Sequence, residues 1–164
     1  MNTPKRYHPA LVALHWLTVI FLLGAGFLSE EGGRSPISIH MILGAGLLAI
    51  MLLRVIVRFT TPRPAWANTG NEFLNKLGEW VHLGLYLIVF FILSLGGFIA
   101  YNRNLFAVAL GTGNVSGRAG LIGNIHHLGW LLALLLVTAH VGAALYHQFI
   151  LKDNLLARMW FGKR

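Results

Sequence analysis

The chain has 164 residues and no cysteine, with 56% hydrophobic and 11% charged residues and a mean hydropathy of +0.67. This composition excludes an ordinary soluble domain, and the lack of cysteine excludes disulfides, thiolate metal sites and iron–sulfur clusters. The formal net charge of +8, in so apolar a chain, indicates cytoplasmic loops and anionic lipid headgroups as its partners, and not nucleic acid.

Four apolar stretches follow one another along the chain, and each is long enough to cross a bilayer, which takes roughly 20 residues. They cover about 10–28, 37–57, 81–101 and 121–151, and the breaks between them contain glycine, proline and charged residues. We therefore expect an all-α integral membrane protein in which residues 1–164 form one four-helix transmembrane bundle. In the break after the second stretch, residues 72–80 have the spacing of a short surface helix.

The basic residues are distributed unequally between the two predicted faces of the membrane. The termini and the region after the second stretch hold ten of the 13 Lys and Arg residues: Lys5, Arg6, Arg54, Arg58, Arg63, Lys76, Lys152, Arg158, Lys163 and Arg164. The other two breaks hold Arg34, Arg103 and Arg118. The positive-inside rule therefore predicts that both termini are cytoplasmic.

Eight histidines are the most informative feature, because ionisable side chains inside a membrane are costly and usually face an interior site. His15 enters the first stretch from the predicted cytoplasmic side, and His40 enters the second from the outer side. On the fourth stretch, His126 and His140 lie about 21 Å apart along an ideal helix and within about 40° of the same face. His40 can therefore pair with His126, and His15 with His140, at two different depths.

Paired imidazoles from facing helices are typical of b-type haem sites. The two pairs predict two haems b with His15, His40, His126 and His140 as the axial ligands of the iron. His82 lies at the same level as His15 and is an alternative to His15 or His140. Small residues on these stretches leave room for the macrocycle, and they also serve ordinary helix packing: Gly24, Gly26, Gly44, Gly46, Gly129, Ala133, Ala139, Gly142 and Ala143.

Other interpretations of the histidines remain open. A single intramembrane histidine often forms an interhelical hydrogen bond, and imidazole also binds zinc and other cations. A cation or proton path would normally add buried carboxylates, whereas all five acidic residues lie in breaks or at the ends of the stretches. We expect interfacial or hydrogen-bonding roles for His8 and His127, with His127 turned about 100° away from His126.

In order and spacing, a series of short motifs resembles the bacterial cytochrome b561 family. The matching elements are His15-Trp16-Leu17, His40, Arg54-x-x-x-Arg58 with Pro62 and Pro64, His82-Leu83-Gly84, Tyr101-Asn102-Arg103, His126, His140 with Ala143-Ala144, His147, Lys152-Asp153-Asn154-Leu155, and Arg158-Met159. The resemblance covers nearly the whole chain and is strongest to diheme members that oxidise superoxide. It implies a bundle in the bacterial inner membrane with two haems b, held by His15 and His140 near the cytoplasm and by His40 and His126 near the periplasm.

The resemblance also implies a reaction, in which electrons pass from periplasmic superoxide to ubiquinone and His147 lies in the quinone site. A titratable histidine at the boundary suits a quinone, which takes up protons together with electrons. Because superoxide is an anion, we expect Arg103 to help steer it towards the outer entrance. The charges predicted on that side are Arg34, Arg103, Arg118 and the opposing Glu30 and Glu31.

Two rival functions fit the same sequence. Related bundles are the quinone-linking cytochrome b subunits of hydrogenases or formate dehydrogenases, where a redox protein partner supplies the electrons. A haem-free metal or proton transporter would use the histidines without haem, and the absorption spectrum of the purified protein would distinguish it. Under the leading interpretation the partners are quinone, membrane lipid and superoxide.

Overall fold

The computed structural model describes residues 4–28 and 34–161, and the side chains of the second range from residue 39 onwards. In chain order the helices are α1 (Pro9–Phe27), α2 (Arg34–Thr60), α3 (Glu72–Asn102), α4 (Leu105–Ala109) and α5 (Gly120–Leu145). A π-helical stretch, Tyr146–Leu151, continues α5, and a 3-10 helix spans Leu155–Met159. Four of these elements are long and apolar enough to cross a membrane, which confirms the predicted all-α, four-span architecture. Of the predicted charges, Glu30, Glu31, Lys163 and Arg164 lie outside the described residues.

The third span begins earlier than the sequence predicts. Helix α3 starts at Glu72 and not near residue 81, so the prediction of a separate surface helix over 72–80 is wrong. The Asn71 side chain caps this helix, because its Oδ1 accepts hydrogen bonds from the backbone N–H groups of Phe73 (2.9 Å) and Leu74 (3.3 Å). With no proline after the cap, the amphipathic turns run directly into the apolar span.

The two ends of the bundle have different constructions. At one end, which we call the terminal end, residues 4–8, the 61–71 loop and residues 152–161 meet. The Tyr7 N–H donates to the Arg158 carbonyl (3.1 Å), and Arg158 Nη1 donates to the Ala65 carbonyl (2.9 Å). The opposite end, which we call the far end, carries the loop of residues 103–119. Both described termini therefore lie at the same end, as four spans require.

The bundle consists of two helix pairs, because α1 packs mainly on α2 and α3 mainly on α5. Glycines permit these close approaches. A Cβ atom at Gly46 would lie 2.4 Å from the Phe21 ring, and one at Gly129 would lie 2.4 Å from Ile92 Cγ2. The two pairs meet in a small core formed by Leu22, Leu47, Met51, Val89, Ile92 and Ala133. Gly46 and Gly129 therefore serve helix packing, and the histidines lie above and below this core, between the pairs.

Candidate functional site

The far-end histidine pair consists of His40 on α2 and His126 on α5. Their ring centroids are 6.0 Å apart and their planes are inclined by 75°. His40 Nδ1 lies 2.8 Å from the Ala25 carbonyl oxygen, in the last turn of α1, where backbone carbonyls lack partners within the helix. Since a carbonyl only accepts, Nδ1 carries the proton and Nε2 is left as the nitrogen that can bind a metal.

A cavity of about 400 Å³ lies beside the far-end pair. Small residues from α1, α2, α3 and α5 form much of its wall, among them Gly44, Gly96 and Gly97. No atom lies within 4 Å of a Cβ built at Gly44 or Gly97, whereas one at Gly96 would lie 3.1 Å from His126 Cε1. The cavity therefore combines a paired imidazole wall with open space, which a planar cofactor requires.

The terminal-end histidine pair consists of His15 on α1 and His140 on α5. Its ring centroids are 6.1 Å apart and the planes are inclined by 68°. A metal–imidazole bond is about 2 Å long, so two rings on opposite sides of one metal ion have centroids roughly 6 Å apart. Both histidine pairs therefore have the spacing that a six-coordinate haem iron needs.

His82, the predicted alternative ligand, lies against the terminal-end pair. Its ring centroid is 4.8 Å from that of His140, which is shorter than the spacing of two rings on opposite sides of a metal. His82 Nδ1 lies 2.9 Å from the Gly78 carbonyl within its own helix, and its ring also packs edge-on against Trp66. The geometry thus favours His15 over His82 as the partner of His140.

Arg54 reaches into the bundle and contacts the terminal-end pair, with its Nη2 3.0 Å from His15 Nδ1. Sequence reasoning counted Arg54 and Arg58 among the basic residues of a cytoplasmic loop, and this is wrong, because α2 continues to Thr60. Both guanidinium groups lie over the Tyr86 ring, at 5.5 and 5.6 Å from its centroid. The spacing of two arginines four residues apart inside an apolar run was the signal that could have placed them on one helix face.

His147, the predicted quinone-site residue, lies in the π-helical stretch at the terminal end and is only 6% exposed. Its Nδ1 lies 2.6 Å from Asp153 Oδ2. Lys152 and Asn154 both have positive φ, near 54°, and this reversal of the chain turns the carboxylate of Asp153 back towards the ring. The sequence places Asp153 in the motif of residues 152–155 but does not predict its contact with His147, because Asp153 follows the span and has no helical register with that residue.

Two further residues that the sequence singled out, His127 and Arg103, lie at the far end. His127 is exposed and also lines the far-end cavity, at the position of α5 that follows His126. Arg103 ends α3 and donates from Nε to the Ser116 carbonyl (3.2 Å) and from Nη2 to the Gly117 carbonyl (2.9 Å). Arg118 is exposed. Arg34 lies in α2, and its side chain is outside the described part of the structure.

Known proteins resemble this chain over almost its full length. The sequence profile of the family described as Prokaryotic cytochrome b561 matches residues 6–162. This chain belongs to the prokaryotic cytochrome b561 family. It is 26% identical to the probable superoxide oxidase CybB of Yersinia pestis, covering 98% of each chain. It is 30% identical to cytochrome b561 homolog 2 of Escherichia coli K12, covering 96% of this chain and 93% of that protein.

Membership of the cytochrome b561 family confirms the resemblance drawn from the sequence motifs. It identifies a multi-pass electron-transfer protein of the bacterial inner membrane that binds b-type haem. The histidine chemistry agrees, because both pairs have haem-ligand spacing. Within the described residues no group of three or more His, Asp or Glu side chains is placed to hold a bare metal ion. Membership of this family favours electron transfer over the haem-free transporter.

Proposed function

We propose that the protein carries electrons from superoxide at the far end to ubiquinone at the terminal end, through one haem b at each histidine pair. One observation carries this proposal: α5 presents a histidine to a histidine of another helix at two depths, through His126 and His140. On a regular helix these residues are about 21 Å apart. Each bound haem would supply reversible one-electron transfer, so the four ligands His15, His40, His126 and His140 define a path across the bundle.

The proposed reaction balances with superoxide and ubiquinone alone. Two superoxide anions each give up one electron and leave as dioxygen, and the quinone takes two electrons and two protons to become quinol. Superoxide is the proposed electron donor because the relative from Yersinia pestis is named a probable superoxide oxidase. The excess of Lys and Arg at the terminal end supports a cytoplasmic position for both termini, which would turn the far end towards the periplasm.

His147 and Asp153 are suited to deliver protons to the quinone. Asp153 accepts at His147 Nδ1, so the imidazole is held in one orientation and Nε2 is left to exchange a proton with a bound quinone oxygen. Asp153 is 28% exposed and lines a cleft of about 410 Å³ at the terminal end. A proton from water can therefore reach the buried ring through the carboxylate.

The experiment that tests this proposal mixes purified protein with superoxide and then with quinone, following the haem absorbance. In the wild type, superoxide reduces the haems and quinone reoxidises them. His147→Ala should keep both haems and their reduction, yet slow reoxidation about 100-fold, the usual contribution of a proton-transfer group. Tyr146→Phe, one residue earlier in the π-helical stretch, is the matched control and should behave as wild type.

Three results would contradict the proposal or redirect it. Normal reoxidation in His147→Ala, or loss of a haem from that variant, would show that His147 has been misassigned. If both haems are present and superoxide does not reduce them, superoxide is not the donor. In that case the quinone-linking subunit of a hydrogenase or formate dehydrogenase becomes the better interpretation.

A further inference from the structure

Two half-buried arginines of α2 have no described anionic partner. Arg54 and Arg58 share one helix face, and both guanidinium groups lie over the Tyr86 ring. Like charges four residues apart on a helix repel each other, and a cation within a membrane span is costly unless it is paired. Aromatic rings face both cations, and Arg58 also lies over the Trp66 ring, but no described carboxylate pairs with either one. The arrangement therefore favours a negative charge supplied from outside the described side chains.

The surroundings of Arg54 supply no such charge. Its ionisable neighbours are the tyrosines Tyr86 and Tyr7, Arg58, and the histidines His15, His82 and His140. None of these is negative at neutral pH. In the described part of the chain, the ion pairs join Lys76 to Glu72 and His147 to Asp153. The carboxylates of Glu72 and Asp153 therefore pair with other residues and not with Arg54. The Arg54 Nε atom is buried, and no hydrogen-bond acceptor meets it within the described residues.

Snorkelling to the lipid headgroups does not account for this side chain. Arginines near the end of a span commonly extend to the interface, and Arg54 is about 9 Å of helix rise from Thr60, where α2 ends. Its Nη2 instead points inwards to His15 Nδ1, 3.0 Å away. The guanidinium is therefore aimed at the terminal-end pair and not at the membrane surface.

The contact with His15 cannot persist if His15 binds a metal. Arginine is always a donor, so His15 Nδ1 accepts from Arg54, and a neutral imidazole then carries its proton on Nε2. A metal needs one bare ring nitrogen, and here Nδ1 is occupied by the arginine while Nε2 carries the proton. Haem binding at His15 therefore requires the Arg54 guanidinium to move to another acceptor.

We infer that Arg54, with Arg58 beside it, binds the propionate carboxylates of the haem held by His15 and His140. This inference rests on the proposed function for the presence of that haem, and it goes beyond it by assigning the anion-binding residues. Arginine and carboxylate form charge-assisted, often bidentate hydrogen bonds. The two cations match the two propionates of a haem b, and Arg54 Nε supplies a donor that the described residues leave unused. The transfer of Arg54 from His15 to a propionate frees the imidazole for the iron.

The test is the reduction potential of each haem in purified holoprotein, measured by spectroelectrochemistry together with the haem content. A cation beside a haem stabilises the form with the extra electron, so Arg54→Gln should lower the potential of the terminal-end haem. We expect at least a tenfold change in its reduction equilibrium constant, which is 59 mV for one electron. The far-end haem should keep its potential. Arg54→Lys, which retains the charge, should show less than half of that shift.

The matched control is Arg63→Gln, which removes an exposed arginine of the following loop and should leave both potentials unchanged. A second arm identifies the source of the anion. In nanodiscs of phosphatidylcholine alone or with added phosphatidylglycerol, the effect of Arg54→Gln should be the same if the anion is a propionate. An effect that appears only with phosphatidylglycerol would assign Arg54 to an anionic lipid headgroup and overturn the inference.

The remaining outcomes also decide the question. If Arg54→Gln loses the terminal-end haem and Arg54→Lys retains it, the need for the charge is supported. If both variants lose it, or if Arg54→Gln leaves its potential unchanged, the inference is overturned. Wild-type protein that lacks a second haem would instead contradict the proposed function, so the two failures are distinguishable.

Discussion

The two histidine pairs have nearly the same ring spacing, 6.0 and 6.1 Å, but their surroundings differ. The far-end pair lies beside a glycine-lined cavity, and His40 is anchored to a backbone carbonyl that leaves Nε2 available. The terminal-end pair is in contact with His82 and with the Arg54 guanidinium. Backbone anchoring makes the far-end pair a fixed site, whereas the terminal-end pair requires a charged side chain to move. Two histidine pairs with the same ring spacing can therefore differ in how much rearrangement is needed before a cofactor binds.

The largest expected effect is the loss of one haem when a histidine of one pair is replaced, while the haem of the other pair stays bound. His126→Ala should remove the far-end haem and spare the other, while His140→Ala should do the reverse, because each histidine serves one pair only. Haem content should fall by half in each variant, and potentiometry should show that different components are lost. His127→Ala, at the neighbouring position of α5, is the control and should keep both haems.

His82 provides the corresponding check on the terminal-end pair. His82→Ala should retain both haems, because its ring lies too close to His140 for a ligand on the opposite side of the iron. If His82→Ala loses a haem while His15→Ala does not, the terminal-end pair is His82 and His140.

The next prediction uses the glycine-lined cavity beside the far-end pair. Gly96→Val adds a branched side chain at a position where even a Cβ atom would lie only 3.1 Å from His126 Cε1. It should therefore lower the far-end haem content severalfold and leave the terminal-end haem intact. Gly142→Val is the control, since a Cβ there meets nothing within 4 Å. Equal loss of both haems in Gly96→Val would mean that the substitution unfolds the bundle instead of filling the cavity.

Sequence reasoning succeeded where one physical property dominates. Runs of about 20 apolar residues are a strong signal for spans, and the fourth predicted stretch, 121–151, agrees with α5 and its π-helical continuation to within one residue. The proximity of His15 to His140 and of His40 to His126 followed from helix periodicity combined with alternating span direction. Their assignment as haem ligands stays a prediction until the haem content of the variants is measured.

Other features depended on contacts that periodicity does not encode. The start of α3 is set by the Asn71 cap in a polar segment, where hydropathy gives no signal. Arg54 was assigned to a loop by the positive-inside count, although its side chain turns inwards to His15. Asp153 reaches His147 only because the chain reverses through two residues with positive φ. In each case a polar side chain found a partner through tertiary geometry.

A smaller effect is expected at the terminal end, where the proposed function places the delivery of protons to the quinone. Asp153→Asn keeps a hydrogen-bonding group beside His147 and removes its charge, so quinone-dependent reoxidation should slow about tenfold, within the range for residues that orient a functional imidazole. Haem content and superoxide-dependent reduction should not change. Glu79→Gln, at an exposed acid in the first turns of α3, should have no effect. A slower reduction step in Asp153→Asn would argue against a role confined to the quinone.

The smallest effect concerns Arg103 at the far end. Its side chain donates to two loop carbonyls, and under the proposed function its charge would act on superoxide only through a screened surface field. Arg103→Gln should slow reduction by superoxide roughly two- to threefold at low salt, and the difference should vanish at high salt. Arg63→Gln, at the terminal end, should not alter this rate. A salt-independent loss in Arg103→Gln would indicate that its loop contacts matter and its charge does not.

The difference between the two pairs has meaning only if each binds its own haem, and the haem content of the purified wild-type protein decides this. Pyridine haemochrome analysis against protein concentration should give two non-covalent haems b per chain, and potentiometry should resolve two components. One haem per chain would show that only one of the pairs binds haem, and none would contradict both haem assignments.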